Sequence, residues 1–133
     1  MKRQEAREIA FAVVFEKEIN GNSVDEILEN ANDCRDITAD DYVLEVSNGV
    51  FENIEEIDEI IKSNIKGWSI DRLSKVTLAL LRLAIFEIKY MSDIPSGVSV
   101  NEAVELCKKY GGEDDFAYLN GVLGTVVKSV CGE

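Results

Sequence analysis

The first residues that could do chemistry form a row of two arginines and two phenylalanines near the N-terminus. Arg3, Arg7, Phe11 and Phe15 recur every four residues, which places them on one ridge of a helix, and Lys2 adds charge at the same end. Cations beside an aromatic ridge can hold phosphates while a ring meets a base or a partner protein. The same spacing also fits a structural interpretation, in which the rings belong to the core and the arginines pair with acids.

A second candidate is the segment 108–121, where a glycine turn joins the end of one helix to the start of another. A helix start presents free backbone N–H groups that can bind phosphate, although the acids at 113–115 compete for this place as caps. Tyr118 falls off the apolar face of the following helix, where its ring could stack on a base. Gly121 and Gly124 interrupt that helix, and close packing of a second helix is the alternative to a ligand there.

Glu87 falls within the apolar face of a helix rather than on a solvated face. On a helical wheel of residues 75–90 it lies between Leu80 and Leu83. A buried carboxylate must accept hydrogen bonds, because burying it unpaired costs several kcal/mol. We expect its donors in the backbone near residues 98–100. Since no second acid or base accompanies it, the sequence favours a structural role over a catalytic one.

Several classes of enzyme are excluded by residue types. The sequence contains no histidine, so it can hold no Ser-His-Asp triad, no Cys-His pair and no histidine metal site. It has no nucleotide phosphate loop and no calcium-binding loop. Its cysteines are odd in number, contain no CxxC pair, and favour a reducing, cytoplasmic setting without disulfides or zinc; they are Cys34, Cys107 and Cys131. We expect a protein that is not an enzyme and that needs no cofactor.

The charge is unevenly distributed along the chain. The 14 Lys and Arg against 26 Asp and Glu give a formal net charge of −12. Residues 19–61 hold 13 of the acids and one base, so the remaining residues sum to zero. The overall acidity therefore leaves room for a local anion-binding site elsewhere. The acidic stretch itself fits either a solvated face or a docking surface.

The hydrophobic periodicity predicts helices throughout and no sustained strand. A chain of 133 residues that is 46% hydrophobic fits one domain with a core of its own, and no apolar run is long enough to span a membrane. The helix over 75–90 is apolar nearly all round, so we expect other helices to surround it. The predicted helical segments are 3–18, 23–31, 39–65, 70–73, 75–90, 99–110 and 114–130.

Residues 72–128 resemble the NusB family of transcription antitermination factors. The resemblance rests on LRLAIFEI at 81–88, DIP at 93–95, VNEAVEL at 100–106 and LNGVL at 119–123, in this order and spacing. In the first half it is looser and rests on Arg7-Glu8 ahead of an apolar helix. The same fold also precedes the catalytic domain of an RNA cytosine methyltransferase family, but this chain has no room for that domain and resembles the free-standing factor.

The resemblance implies an all-α fold over residues 1–133, a compact single domain of about seven helices arranged as two helical bundles that share the first helix. It implies binding to the boxA RNA of ribosomal RNA transcripts together with NusE, a ribosomal small-subunit protein. The pair would join the RNA polymerase antitermination complex and suppress premature termination. Some relatives self-associate, so a homodimer is also compatible with the resemblance.

The resemblance also implies which residues act. RNA contacts carry over to Lys2, Arg3, Gln4, Arg7, Asp114 and Tyr118. Partner contacts carry over to Phe15 and to the exposed side of the central helix near Thr77 and Arg82. The basic N-terminus is diluted by Gln4, Glu5 and Glu8, so we expect the complex with NusE to be the competent RNA binder. The alternative function is a helical protein–protein adaptor without independent RNA binding.

Overall fold

Helices make up the regular structure of the residues that the computed structural model describes, which are 2–24, 26–27, 41–65, 69–112 and 114–131. This part of the chain contains six α-helices and no strand, which confirms the predicted all-α class. A short 3₁₀ turn, Ile70–Arg72, precedes the fourth helix. The six helices are α1 (Arg3–Asn20), α2 (Asp41–Glu52), α3 (Ile54–Asn64), α4 (Lys75–Tyr90), α5 (Ser96–Tyr110) and α6 (Asp115–Cys131).

The central element is α4, as its apolar sequence predicts. Eleven of its sixteen residues are buried, and it packs against each of the five other helices. Its start is fixed by Ser74, whose hydroxyl accepts a hydrogen bond from the backbone N–H of Thr77 at 3.1 Å. Because every face of α4 meets another helix, its side chains join the packing of the whole described structure into one core.

α1 lies between the two groups of helices that flank α4. It packs on α2 and α4, while Gln4 and Glu8 reach across to side chains of α5. Its C-terminus is closed by Gly21 in the left-handed conformation, with φ of 73°, where other residues would be strained. The first group consists of α2 and α3, which pack on each other and on α4, and the second consists of α5 and α6, which do the same.

The single long helix predicted over 39–65 is wrong within its described part. The helix is interrupted at Asn53, which takes φ −114° and ψ 22° and separates α2 from α3. Its side-chain amide donates to the carbonyl of Gly49 at 2.8 Å. The hydrophobic stripe continues through this position, so it does not reveal the interruption.

The helix starts predicted at Ser99 and at Ser23 have different outcomes. α5 begins at Ser96 rather than at Ser99, because Pro95 supplies a fixed φ of −58° and its carbonyl accepts from the backbone N–H groups of Val98 and Ser99. The capping box at 23–26 is partly described, and the Ser23 hydroxyl accepts from the N–H of Glu26 at 3.2 Å. The remainder of the predicted helix over 23–31 lies outside the described residues, as does Cys34.

Candidate functional site

The exposed polar groups at the start of α1 form the first part of the candidate site. The side chains of Lys2, Arg3 and Gln4 are all exposed. The Arg3 guanidinium lies 4.5 Å from the centroid of the Tyr42 ring, a cation–π contact that places it beside α2. The Gln4 amide donates to a carboxylate oxygen of Glu102 on α5 at 3.3 Å. Two cations and an amide therefore meet solvent at the positive end of the α1 dipole, where an anion is stabilised.

Arg7, four residues along α1, does not belong to this exposed group. It is 2% exposed, and its Nε and Nη2 donate to Oε2 and Oε1 of Glu87 at 2.8 and 2.9 Å. This corrects the placement that the ridge of arginines predicts. The guanidinium lies in the core because the buried carboxylate of α4 needs a cation beside it. In this conformation Arg7 cannot reach a phosphate at the surface.

Glu87 is the centre of a buried polar network that joins four helices. The Tyr42 hydroxyl donates to its Oε2 at 2.5 Å, and the Ser99 hydroxyl donates to its Oε1 at 3.0 Å. With the two bonds from Arg7, the carboxylate accepts four hydrogen bonds. The prediction that backbone N–H groups near residues 98–100 donate to Glu87 is therefore wrong. Ser99 uses its hydroxyl, because its backbone N–H already bonds the carbonyl of Pro95.

The network affects the ionisation of Arg7 and Tyr42. Burial alone would lower the pKa of Arg7, but the hydrogen bond to Glu87 and its charge outweigh burial and raise it. Burial, followed by the charge of Glu87, raises the pKa of Tyr42. Arg7 therefore stays charged and Tyr42 stays neutral. The same network fastens the first turns of α1 to α2, α4 and α5, and so positions the exposed Arg3 and Gln4.

Glu8 connects α1 to the end of α5. Its Oε1 accepts a hydrogen bond from Lys109 Nζ at 2.5 Å and another from the Tyr110 hydroxyl. The Tyr110 ring lies 5.3 Å from that of Phe11, which is 4% exposed. The structural interpretation of the ridge therefore holds for Arg7 and Phe11, whereas Arg3 remains accessible. This contact brings α1 close to the turn that leads into α6.

Asp114 and Tyr118 lie at the start of α6, next to that turn. Asp114 is exposed, and its carbonyl accepts from the backbone N–H of Tyr118 at 3.4 Å. The turn is held by Asp115, whose carboxylate accepts from the N–H of Gly112 at 2.9 Å. Tyr118 is half-buried and packs against the core, and burial raises the pKa of its hydroxyl. Part of its ring therefore supports the fold, and part is available at the surface.

The helix face beside Tyr118 is open. A Cβ added at Gly121 or Gly124 would meet no atom of the described structure within 4 Å. Of the two explanations offered for these glycines, close packing of a second helix therefore finds no support among the described residues. A groove of about 580 Å³ between α5 and α6 is lined by Gly124 together with Val100 and Asn120. A ligand can approach the α6 backbone closely at this face.

Two of the three residues assigned to a protein partner lie on, or contact, the C-terminal half of α1. Phe15 is half-buried and stacks on Phe11 with 5.8 Å between ring centroids. One turn further, Glu18 accepts from Nη1 of Arg82 at 2.8 Å. Arg82 also donates from Nε and Nη2 to the carboxylate of Asp58, both at 3.0 Å. The C-terminal half of α1 thus carries a half-buried aromatic ring and, one turn further, an acid that holds the partly exposed Arg82 of α4.

Thr77 is not on an exposed side of α4, which corrects the third assignment. It is 3% exposed, and its hydroxyl accepts from Ser74 Oγ at 2.9 Å. The position faces inward because the first turn of α4 is capped there and the helix is surrounded. Thr77 therefore serves the N-terminus of α4 and offers no surface to a partner in this conformation.

Glu18 is the electrostatically unusual residue of this region. Its side chain is 2% exposed. Burial raises its pKa to about 7, although the charge and hydrogen bond of Arg82 oppose the shift. One arginine thus holds two carboxylates, of which the better solvated Asp58 takes the bidentate contact.

Tyr42 and Ser99 are the residues of the site that the sequence analysis missed. Their signal is a hydroxyl at the edge of an apolar stripe, which becomes informative once a buried acid is recognised nearby. Among the described residues no group of three or more Cys, Asp or Glu side chains could hold a metal ion. None of the described helices is long and apolar enough to cross a membrane.

The family model and the similar proteins indicate the same family. The model of the NusB family matches residues 4–128. The chain is 46% identical to the transcription antitermination protein NusB of Clostridium botulinum over 143 aligned positions, which cover 96% of this chain and 100% of that protein. It is 47% identical to the NusB of Acetivibrio thermocellus, with 96% of this chain and 90% of that protein covered.

Solved structures give the same result for the fold. A crystal structure of T. maritima NusB matches with a TM-score of 0.85 at 33% identity, covering 96% of this chain and 92% of that one. A crystal structure of the antitermination factors NusB and NusE in complex with dsRNA matches with a TM-score of 0.85 at 30% identity, covering 97% and 99%. The chain therefore belongs to the NusB family of transcription antitermination factors, which are not enzymes.

Proposed function

We propose that this protein binds the boxA RNA of ribosomal RNA transcripts together with NusE, and that the pair suppresses premature termination by RNA polymerase in the cytoplasm. The observation that carries the proposal is the exposed group of Lys2, Arg3 and Gln4 at the start of α1. Its support is the family membership and the resemblance to a NusB that was crystallised with NusE and dsRNA.

The RNA surface runs from the start of α1 towards the start of α6. Lys2 and Arg3 neutralise phosphates, and Arg3 is held for this by its stacking on Tyr42. Tyr118 offers the exposed part of its ring for stacking on an unpaired base, next to the open backbone at Gly121. Asp114 lies at the turn before α6 and can accept from a base or a 2′-hydroxyl. Contacts of this kind suit single-stranded RNA better than a duplex.

Arg7 acts by positioning rather than by touching RNA. Its buried pair with Glu87 sets the place of α1 against α4 and α5. The two exposed cations one turn earlier depend on that placement. This reassignment leaves two cations at the start of α1, so we expect a modest dependence of affinity on salt.

The partner surface uses Phe15 and Arg82 at the far end of α1. A half-buried aromatic ring and a partly exposed guanidinium at this end are side chains of the types that are enriched in protein interfaces. We assign NusE to this end, so that one helix carries both binding functions. The assignment leaves the RNA end free in the complex.

The adaptor without independent RNA binding is the second candidate. It is favoured by the small number of free cations and by the pairing of Lys109 with Glu8, which removes a further positive charge. Both functions require NusE binding. They differ in whether Lys2 and Arg3 contribute to RNA affinity.

Fluorescence anisotropy of a labelled boxA-type RNA separates the two candidates. The protein is titrated with and without NusE at two salt concentrations, and the variant Lys2→Ala/Arg3→Ala is compared with Lys62→Ala/Arg72→Ala, which removes the same charge from exposed positions on α3 and on the 3₁₀ turn. We expect salt-sensitive binding that NusE strengthens and that only the first variant weakens, by about 1–3 kcal/mol. Unchanged RNA affinity of that variant, with NusE still bound, would leave the adaptor.

A further inference from the structure

A third surface lies between α2 and α4. It is formed by none of the residues assigned to RNA or NusE. Leu44 on α2 and Tyr90 on α4 are each 36% exposed. Both line one groove of about 450 Å³, together with the ring of Phe86. Large apolar side chains that share an exposed groove are typical of a binding surface rather than of a solvated helix face.

The floor of this groove is built by close packing. A Cβ added at Gly49 would lie 2.4 Å from the Phe86 ring, so the glycine provides the notch in α2 that receives this ring. The Phe86 and Tyr90 rings follow one another at 5.2 Å between centroids. The Tyr90 hydroxyl donates to Glu56 at 2.8 Å, which fixes the outer ring. The apolar floor is therefore already in place before a ligand arrives.

The rim of the groove is acidic. Glu45 and Glu52 are exposed, line the groove and lie on one face of α2, seven residues apart. Neither forms an ion pair with the described residues, whereas the nearby Lys89 is held by Glu56 at 2.6 Å. The amide of Asn48 donates to the carbonyl of Leu44 at 3.0 Å, which turns this donor inward. The groove thus offers mainly apolar surface and hydrogen-bond acceptors.

Charge complementarity decides which partner fits. The two helices over residues 41–64 hold seven acids and one base. Such a surface repels the phosphates of RNA, and it repels a second copy of a chain whose net charge is −12. It attracts a segment whose apolar side chains fill the floor while its lysines or arginines meet the carboxylates.

We propose that the α2–α4 groove, formed by Leu44, Phe86 and Tyr90 with Glu45 and Glu52 on its rim, binds a basic amphipathic helix of a protein partner. The volume of the groove holds a few side chains, so one or two turns of such a helix enter it. This contact would give the protein a third interface besides those for RNA and NusE. Because the groove uses other residues, the proposed peptide binding can be confirmed or refuted whether or not the protein binds RNA and NusE.

The test uses a fluorescein-labelled model peptide of about four helical turns, with leucines at helical spacing and lysines elsewhere. The full-length protein is titrated by anisotropy at physiological ionic strength, and the footprint is read from amide chemical shifts of the isotope-labelled protein. We expect saturable binding and shifts confined to α2, α4 and the residues that line the groove. A peptide with glutamates in place of the lysines should not bind.

Matched variants separate this site from general attraction by an acidic protein. Glu45→Lys/Glu52→Lys should weaken binding about tenfold or more. Glu16→Lys/Glu105→Lys makes the same change in net charge at exposed positions on α1 and α5 and should change affinity less than about twofold. Leu44→Ser should weaken binding, and Ile19→Ser, which removes another exposed apolar side chain, should not.

Four results would overturn the proposal. Equal losses in the two charge variants would mean non-specific attraction. Shifts outside the groove would place the peptide elsewhere, and the absence of saturable binding would remove the site. A footprint of boxA-type RNA on the same residues would assign the groove to nucleic acid instead of protein. Melting temperatures of all variants are measured alongside, so that loss of folding is not read as loss of binding.

Discussion

Arg7 and Glu87 form a bidentate ion pair inside the protein, with N–O distances of 2.8 and 2.9 Å between residues that are 80 positions apart in the chain. The pair links the first helix to the central helix. It also receives the hydroxyls of Tyr42 and Ser99, so one carboxylate ties four helices together. The placement of the exposed cations at the start of α1 depends on this buried group.

Replacing Arg7 is expected to destabilise the protein strongly. Arg7→Ala would leave the Glu87 carboxylate buried without its cation, which costs about 3–5 kcal/mol. Arg7→Lys keeps the charge but loses the bidentate geometry, and should cost less. Urea unfolding followed by circular dichroism gives the free energies. Arg3→Ala is the matched control, because that guanidinium is exposed, and it should cost no more than about 1 kcal/mol.

The double variant Arg7→Met/Glu87→Leu tests the cause. If the loss in Arg7→Ala comes from an unpaired charge, removal of both charged groups should recover a large part of it. A double variant that is as unstable as Arg7→Ala would show instead that packing around the guanidinium carries the effect.

The sequence predicts most of the helices. In α4, for example, the apolar residues indicate both that a helix forms and that other helices must cover its surface. It fails at Asn53, whose φ of −114° and ψ of 22° separate α2 from α3 although the hydrophobic stripe continues. The pattern of apolar residues records which face is buried. It does not record the backbone angles of a single residue.

The site is predicted only in part, for a related reason. Spacing places Arg3 and Arg7 on one ridge, but their exposure depends on how α1 is set against α4 and α5, which tertiary packing decides. The signal that could have separated them is Glu87, since an acid predicted to be buried calls for a buried cation. Ala6 and Ala10 are small neighbours of Arg7, and both are buried. Of the two arginines, Arg7 therefore has the more apolar surroundings.

Glu18 is expected to make the stability depend on pH between about 4.5 and 7. Its pKa is raised to about 7 in the folded protein, so the folded state holds a proton that the unfolded chain has released. The stability that this proton contributes is complete below pH 4.5 and is lost as the pH rises through 7. The loss amounts to roughly 3 kcal/mol at most. Because the chain contains no histidine, few other groups titrate in the upper part of this window.

Glu18→Gln should remove this dependence. The neutral amide resembles the protonated acid, so the variant should be more stable than the original protein at pH 8 and similar to it near pH 5. Urea midpoints measured at several pH values give the comparison. Glu16→Gln, on the exposed side of the same helix, should leave the slope in place. A slope that persists in Glu18→Gln would assign the effect to other groups.

Tyr118 is expected to contribute to both stability and RNA affinity through its ring. Tyr118→Phe keeps the ring, so the melting temperature and the affinity for boxA-type RNA should change little. Tyr118→Ala should lower RNA affinity by about 1–3 kcal/mol, because stacking on a base is lost. It should also lower the melting temperature, since the ring packs against the core. Loss of stability with unchanged RNA affinity in a folded Tyr118→Ala would make Tyr118 a core residue only.

Gly49 and Gly121 are expected to respond in opposite directions to the same substitution. In Gly49→Ala the new methyl group would lie 2.4 Å from the Phe86 ring, so the helices must move apart, at a cost of about 1–3 kcal/mol. In Gly121→Ala the methyl group meets no described atom within 4 Å and gains the helix propensity of alanine, about 1 kcal/mol. Thermal and urea unfolding of both variants measure the difference. A destabilised Gly121→Ala would mean that the α6 face is covered in the folded protein, whereas a stabilised variant with weaker RNA binding would place the RNA against that face.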